Sequence, residues 1–271
     1  EELKAIYGLD KPLYVQFFSW IYSILQLDFG ISFTSGEKVK EEILSRIPIT
    51  LTINIVSMIL IFIISLYFGI KSAMKKNSIF DRFTNQLSLL SFSMPSFYLA
   101  LVLVLVFSIK FELFPIAGLH SVPNDGSLNY YLDFAWHLTL PIFIIVFGGI
   151  GSLILYIRAL TIEILKSDYI FFARARGLDN KKILRYYILP NLYPPVITLL
   201  GLSLPGIIGG SVILETIFSI DGMGLLFYQS ALSHDYPVIM GILIIGAFLT
   251  LIGNMFADLI LLKLNPNYNE K

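Results

Sequence analysis

No cysteine occurs in these 271 residues, which excludes disulfides and thiolate metal sites alike. Histidine is scarce: His120, His137 and His234 are far apart and show no ligand spacing such as HExxH, so no metal site is expected. Charge is also scarce, with Asp, Glu, Lys and Arg at 14% of the chain against roughly 25% in soluble domains. Lys and Arg together number 19, as do Asp and Glu, so the net basic charge of a nucleic-acid binder is missing. No G-x-x-x-x-G-K-[ST] sequence is present, and ATP hydrolysis by this chain is not expected.

What the chain has instead is apolar length. Hydrophobic residues make up 56% of it, and five stretches free of Asp, Glu, Lys and Arg cover residues 51–70, 83–109, 138–157, 186–214 and 236–257. A helix crossing a hydrocarbon core about 30 Å thick needs roughly 20 such residues. These runs are apolar nearly all round, without the polar face of a soluble helix. The expectation is an all-α polytopic membrane protein with five transmembrane helices, near 51–70, 84–109, 138–160, 190–214 and 237–262, in a permease domain spanning 51–263.

Charge between the spans predicts orientation. Lys71, Lys75, Lys76 and Arg82 follow the first span; Arg158, Lys166, Arg174, Arg176, Lys181, Lys182 and Arg185 follow the third. The excess of basic residues marks both loops as cytoplasmic. The opposite loops are nearly free of basic residues, with Lys110 alone between 109 and 137 and none between 215 and 235. Residues 1–50 are thus expected outside and the 264–271 tail inside a bacterial plasma membrane. A chain starting outside at Glu1 without an apolar leader predicts a further span upstream, and six in the full gene product.

Within the outer segment, Tyr14, Phe17, Phe18, Ile21, Tyr22 and Leu25 recur at helical spacing and predict a helix at the membrane interface. Thr34 and Glu37 have capping-box spacing, predicting a short helix towards Arg46 that ends before Pro48. Several spans contain helix breakers: Pro95, Pro141, Gly148 and Gly149, then Pro205, Gly206, Gly209 and Gly210. Such breaks are tolerated where neighbouring helices or a watery cavity satisfy the backbone. Pro95, Pro205, Gly209, Gly210 and Glu215 are the candidates for a translocation path, with plain helix packing the alternative for any single glycine.

The most informative stretch is the cytoplasmic segment from Asp168 to Pro190. Ala173 and Ala175 lead to Gly177, which suits a helix end in the left-handed conformation. Asp179 can cap a second short helix towards Leu189, and Pro190 interrupts the pattern as the next span begins. The product is a helix, tight turn, helix unit with a basic flank, shaped for docking into a groove on a soluble partner.

This run, at Asp168, Tyr169, Ala173, Arg174, Ala175, Arg176, Gly177 and Leu178, resembles the cytoplasmic "EAA" loop of ABC importer permeases of the oligopeptide, dipeptide and nickel branch. Phe171 stands where the general motif has glutamate. Gly8 to Leu13 with Trp20, Asp28-Phe29-Gly30 and Ser32 resemble the branch's first outer loop, and Ser93 to Phe97 its second visible span. Glu215 to Gly224 resembles its E-T-(V/I)-F-S stretch, with Asp221 where proline is common; Asp235 to Val238, Asn254 and Asp258 match the last span. The resemblance implies a permease passing peptides, or nickel or a nickel chelate. It implies pairing with a second homologous permease subunit, two cytoplasmic ATPase subunits that carry the ATP and Mg, and an extracytoplasmic substrate-binding protein. It also implies that residues 166–190, including Asp179 and Pro190, couple ATPase to transport. Arg174 and Arg176 fit either docking or topology.

Two other classes remain to be weighed. An ion-coupled secondary transporter would need an intramembrane ionisable group, and Glu215 and Asp258 are the candidates. An intramembrane protease would rest on Asp221 or Ser152, but neither has a partner acid or base at suitable spacing.

Overall fold

A computed structural model describes residues 12–203, 206 and 210–264. Among them there is no strand, only an isolated antiparallel bridge between Ile31 and Lys38. Helix α1 (Leu13–Leu25) buries no residue, and its Leu13, Phe18 and Leu25 are exposed apolar side chains.

Helix α2 (Val39–Met74) carries 36 residues, about 54 Å at 1.5 Å per residue, well beyond one bilayer core. The expected capping box at Thr34 and Glu37 is absent. The chain instead turns back through the Ile31–Lys38 bridge, and α2 starts at Val39 with Lys38 at its cap. Nor does the helix stop before Pro48, which lies inside it; a proline in a helix removes one donor, and packing here outweighs that loss.

Pro95 acts differently. Met94 before it adopts extended dihedrals (φ −85°, ψ 120°), the region favoured ahead of proline, and the chain turns there by 99° between α3 (Ile79–Ser93) and α4 (Ser96–Leu103). A π-helical stretch, Val104–Lys110, continues α4. The span expected over 84–109, with Pro95 as a helix breaker inside it, is a bent pair. In α5 (Leu128–Leu165) the opposite holds: Pro141 is buried within one unbroken helix of 38 residues, and the Gly148-Gly149 pair does not break it.

The helix pair expected after the third span follows as α6 (Asp168–Ala175) and α7 (Asn180–Ile183). From α7 the chain runs on through a π turn, Leu184–Ile188, into α8 (Leu189–Ser203). Pro190 thus lies within continuous helix rather than interrupting it. The wider π turn just ahead is where the carbonyl that proline cannot serve is accommodated. The chain ends with α9 (Val212–Ile217), α10 (Met223–Leu232) and α11 (Tyr236–Leu264). Among the described residues three helices, over Val39–Met74, Leu128–Leu165 and Tyr236–Ile260, are long and apolar enough to cross a membrane, or four crossings if the bent pair counts as one.

The long helices α2 and α5 form the largest pair, with α3 on α5 and α11 on α8. Buried serines and threonines at these seams, among them Ser57, Ser65, Ser72, Thr84, Ser88 and Thr161, let backbones approach closely. Gly151 shows how closely: a Cβ there would lie 2.5 Å from the Ser88 carbonyl oxygen. The outward faces carry Ile55, Ile59 and Ile63 of α2 among many exposed aliphatics, which suits contact with lipid.

Candidate functional site: a docking loop, a neutral cavity and their anchors

In the loop, α6 ends in a fully formed Schellman motif. The Leu178 amide donates to the Ala173 carbonyl at 3.2 Å and the Gly177 amide to the Arg174 carbonyl at 2.8 Å. Gly177 has φ +80°, the left-handed region anticipated for it, and no atom lies within 4 Å of where its Cβ would be. Asp179 caps α7 as expected, its carboxylate accepting from the Lys182 amide at 3.0 Å. Ile170, Ala173 and Ile183 are buried, and Ile170 and Ile183 join Ile157, Ile188 and Leu192 in one apolar cluster with Leu178 packed against it. Tyr169 stacks on Tyr187 across the turn, centroids 6.2 Å apart. The opposite face is left open: Phe171, Phe172, Arg174, Ala175, Arg176 and Asp179 are exposed, as is Asp168 in the first turn of α6. Pro190 is exposed in α8. The open face of the loop therefore includes the Phe171 and Phe172 rings, neither of which the sequence reading counted among its coupling residues.

Between α2, α5 and α8 lies a cavity of about 450 Å³, with Asn54, Ser57, Ser152, Tyr156 and Ser203 among its lining residues. A second, of about 360 Å³, shares Asn54 and Ile145 with it and is lined further by Ser91, Met94, Ser96, Gly148 and Ser211. No charged side chain lines either one. The residues flanking Pro95 on both sides reach the second cavity. Pro205 and Gly209, two of the expected path residues, lie outside the described residues. The neutral hydroxyls and Asn54 were missed in the sequence, where their recurrence on one face of α2 and of α5 was the available signal.

Glu215, the remaining path candidate with Gly210, has another occupation. It is buried, and its Oε2 accepts from the Leu225 amide at 2.7 Å in the first turn of α10. Gly210 and Gly222 close over it, leaving no room for a Cβ at either position. The adjoining void measures only about 10 Å³. An acid on a helix N-terminus satisfies otherwise orphaned donors and complements the helix dipole, so Glu215 and Gly210 belong to the wall. Asp258 is exposed near the end of α11 and lines neither cavity, so no acidic or basic side chain among the described lining residues serves an ion-coupled reading. Asp221 is held by Arg46 at 2.8 Å and is exposed, while Ser152 has no histidine among its cavity neighbours, which leaves the protease reading without a catalytic pair.

Two further anchors fix the frame. Arg158 of α5 grips Asp81 with two bonds, Nε to Oδ1 at 2.7 Å and Nη2 to Oδ2 at 2.9 Å. Ser72 of α2, the Asn77 amide and Asn85 bond the same carboxylate, tying α2, α3 and α5 together. On the other side Asp235 accepts from the Ser32 hydroxyl at 2.5 Å and the Thr34 amide at 3.1 Å, pinning the outer segment to the start of α11. Burial alone would raise the Asp235 carboxyl; the hydroxyl of Ser32 and the amides of Phe33 and Thr34 outweigh it and hold the group below its usual range.

The described residues form a membrane-type helical bundle that carries a short two-helix unit at Asp168–Ile183. Residues 65–270 match the family "Binding-protein-dependent transport system inner membrane component", and the chain belongs to that family. It is 38% identical over 267 residues to the oligopeptide transport system permease protein AppB of Bacillus subtilis (strain 168), covering 98% of this chain and 84% of that one. It is 30% identical to the dipeptide transport system permease protein DppB of Escherichia coli (strain K12), covering 100% and 85%. It is likewise 30% identical to the metal-staphylopine import system permease protein CntB of Staphylococcus aureus (strain NCTC 8325 / PS 47), covering 99% and 82%. Its fold is similar to a chain of the MetNI methionine ABC transporter in inward-facing conformations, with TM-score 0.64 and 17% identity over 82% of this chain and 96% of that one. The protein is thus a multi-pass permease subunit of an ABC importer and not itself an enzyme; separate subunits hydrolyse the ATP.

Proposed function

We propose that this permease passes peptides across the bacterial plasma membrane, with a metal chelate the alternative cargo, and that residues 166–190 transmit ATPase closure to its bundle. The two peptide-transport relatives favour the first cargo and the metal-staphylopine relative supports the second. The working complex would pair it with a second homologous permease, two cytoplasmic ATPase subunits and an extracytoplasmic binding protein. Five crossings, with residue 1 outside and the C-terminus inside, agree with the charge bias of the loops. The fourth would run from α8 towards residue 214. The cavities along α2 and α5 are the proposed path. Their neutral, hydroxyl-rich walls suit a solute that carries many amide groups and must leave as readily as it enters.

The observation that carries the coupling assignment is the two-sided loop: one face buried in the bundle through Ile170 and Ile183, the other offering Phe171, Phe172, Arg174 and Arg176 to a partner. A loop held rigidly at its base moves the helices below it when its tip is moved. Gly177→Arg tests this. Its Cβ would meet no atom within 4 Å, so the bundle should assemble, while left-handed strain and bulk at the tip obstruct docking. In reconstituted complexes, uptake and the stimulation of ATP hydrolysis by loaded binding protein should both be lost. Near-normal values of both, with normal assembly, would refute the coupling role.

A further inference from the structure

Two lysines at the C-terminal end of α2 have no acidic partner among the described residues. Lys71 bonds the Tyr67 hydroxyl at 2.5 Å and lies over the rings of Tyr67 and Phe80, 4.7 Å from each centroid; Lys75, one turn on, is exposed. Asp81, the acid nearest in sequence, is taken by Arg158. Both lysines line a groove of about 490 Å³ that lies apart from the cavities already described. Leu66, Ile70 and Met74 form one wall, and Leu184 and Leu189 the other. From Leu66 to Lys75 the chain rises about 13 Å, from inside the charge-free run that ends at Ile70 to the basic residues that follow it.

We propose that this groove binds one anionic phospholipid, with its phosphate at Lys71 and Lys75 and an acyl chain along Leu66, Ile70 and Leu184. Each half of the site selects one half of such a molecule. Apolar walls at this depth are filled favourably by a hydrocarbon tail, and two uncompensated ammoniums at the interface attract net negative charge, which a zwitterionic lipid lacks. Lysine serves phosphate as a point charge through several donors, of which Tyr67 occupies one on Lys71. The groove shares Leu184 and Leu189 with the proposed coupling segment, but its readout is lipid retention rather than transport, so the two assignments can fail separately.

The test uses the complete transporter in phosphatidylcholine nanodiscs with or without phosphatidylglycerol. Native mass spectrometry counts the phosphatidylglycerol retained, and thermal unfolding reads its effect. Wild type should retain one molecule more than the Lys71→Gln/Lys75→Gln variant, and only wild type should show a higher unfolding midpoint with phosphatidylglycerol. Leu184→Trp, which fills the groove and leaves both lysines, should lose the same molecule. Equal retention by wild type and the double variant overturns the proposal. So does retention by Leu184→Trp, which would make the lysines a diffuse surface charge, and so does efficient cross-linking of Met74→Cys to the partner permease, which would make the groove a protein interface.

Discussion

The carboxylate of Glu215 faces backbone, and its value is best judged by what its removal leaves behind. Alanine would strand the Leu225 amide at the start of α10 and open space between Gly210 and Gly222. An unsatisfied buried donor costs about 1–3 kcal/mol, and the lost contacts add to it. Glu215→Ala should therefore lower the thermal midpoint of the purified permease clearly, and Glu215→Gln, which keeps one carbonyl acceptor, should lower it less. Equal midpoints for wild type and alanine would remove Glu215 from the wall. Sequence alone suggested the path for this residue, because an acid after a glycine-rich run is what a path residue looks like. Its actual partner is an amide ten residues on, in a helix capped by Gly222 with no side-chain signal. The Asp81–Arg158 bond was hidden for a similar reason: 77 positions separate the pair, and both residues read as ordinary loop charge.

Elements declared themselves where their signals are local. The end of α6 at Gly177 and the start of α7 at Asp179 both follow from short-range chemistry and fell where expected. Prolines did not, because the same residue turns the chain at Pro95 and sits inside continuous helix at Pro48 and Pro141. What differs is the packing around each, which no local spacing encodes. The exposed aromatics of α6 carry the element-scale prediction. Phe171 and Phe172 are 69% and 61% exposed and sit edge to face, so serine at both should change the stability of the isolated permease by no more than about 0.5 kcal/mol. In the complex the same change removes two large apolar anchors from the docking face, and retention of the ATPase subunits through purification should fall sharply. Unaltered retention would shift the weight of docking to Arg174 and Arg176.

For the whole molecule the proposed path predicts alternating exposure of the cavity between α2, α5 and α8, and the absence of native cysteine makes that directly readable. Asn124→Cys and Ser233→Cys, at exposed positions on the predicted outer side, should react with an impermeant thiol reagent added to intact cells. Lys76→Cys and Lys181→Cys should react only after the membrane is opened, and the reverse pattern would invert the orientation drawn from loop charge. Ser152→Cys then probes the path itself. It is exposed within the cavity, whereas Ile63 points from the bundle's outer face at 60% exposure and should meet lipid or protein, so Ile63→Cys is the unreactive control. In reconstituted transporter the rate of modification at Ser152→Cys from the outside should rise when nucleotide holds the ATPases closed, and from the inside when it is removed, because nucleotide shifts one equilibrium between two open states. A small reagent that reaches Ser152→Cys equally from both sides in every nucleotide state would mean a leak. One that never reaches it, while Asn124→Cys reacts normally, would place the path elsewhere in the complex and leave this cavity as a packing defect between helices.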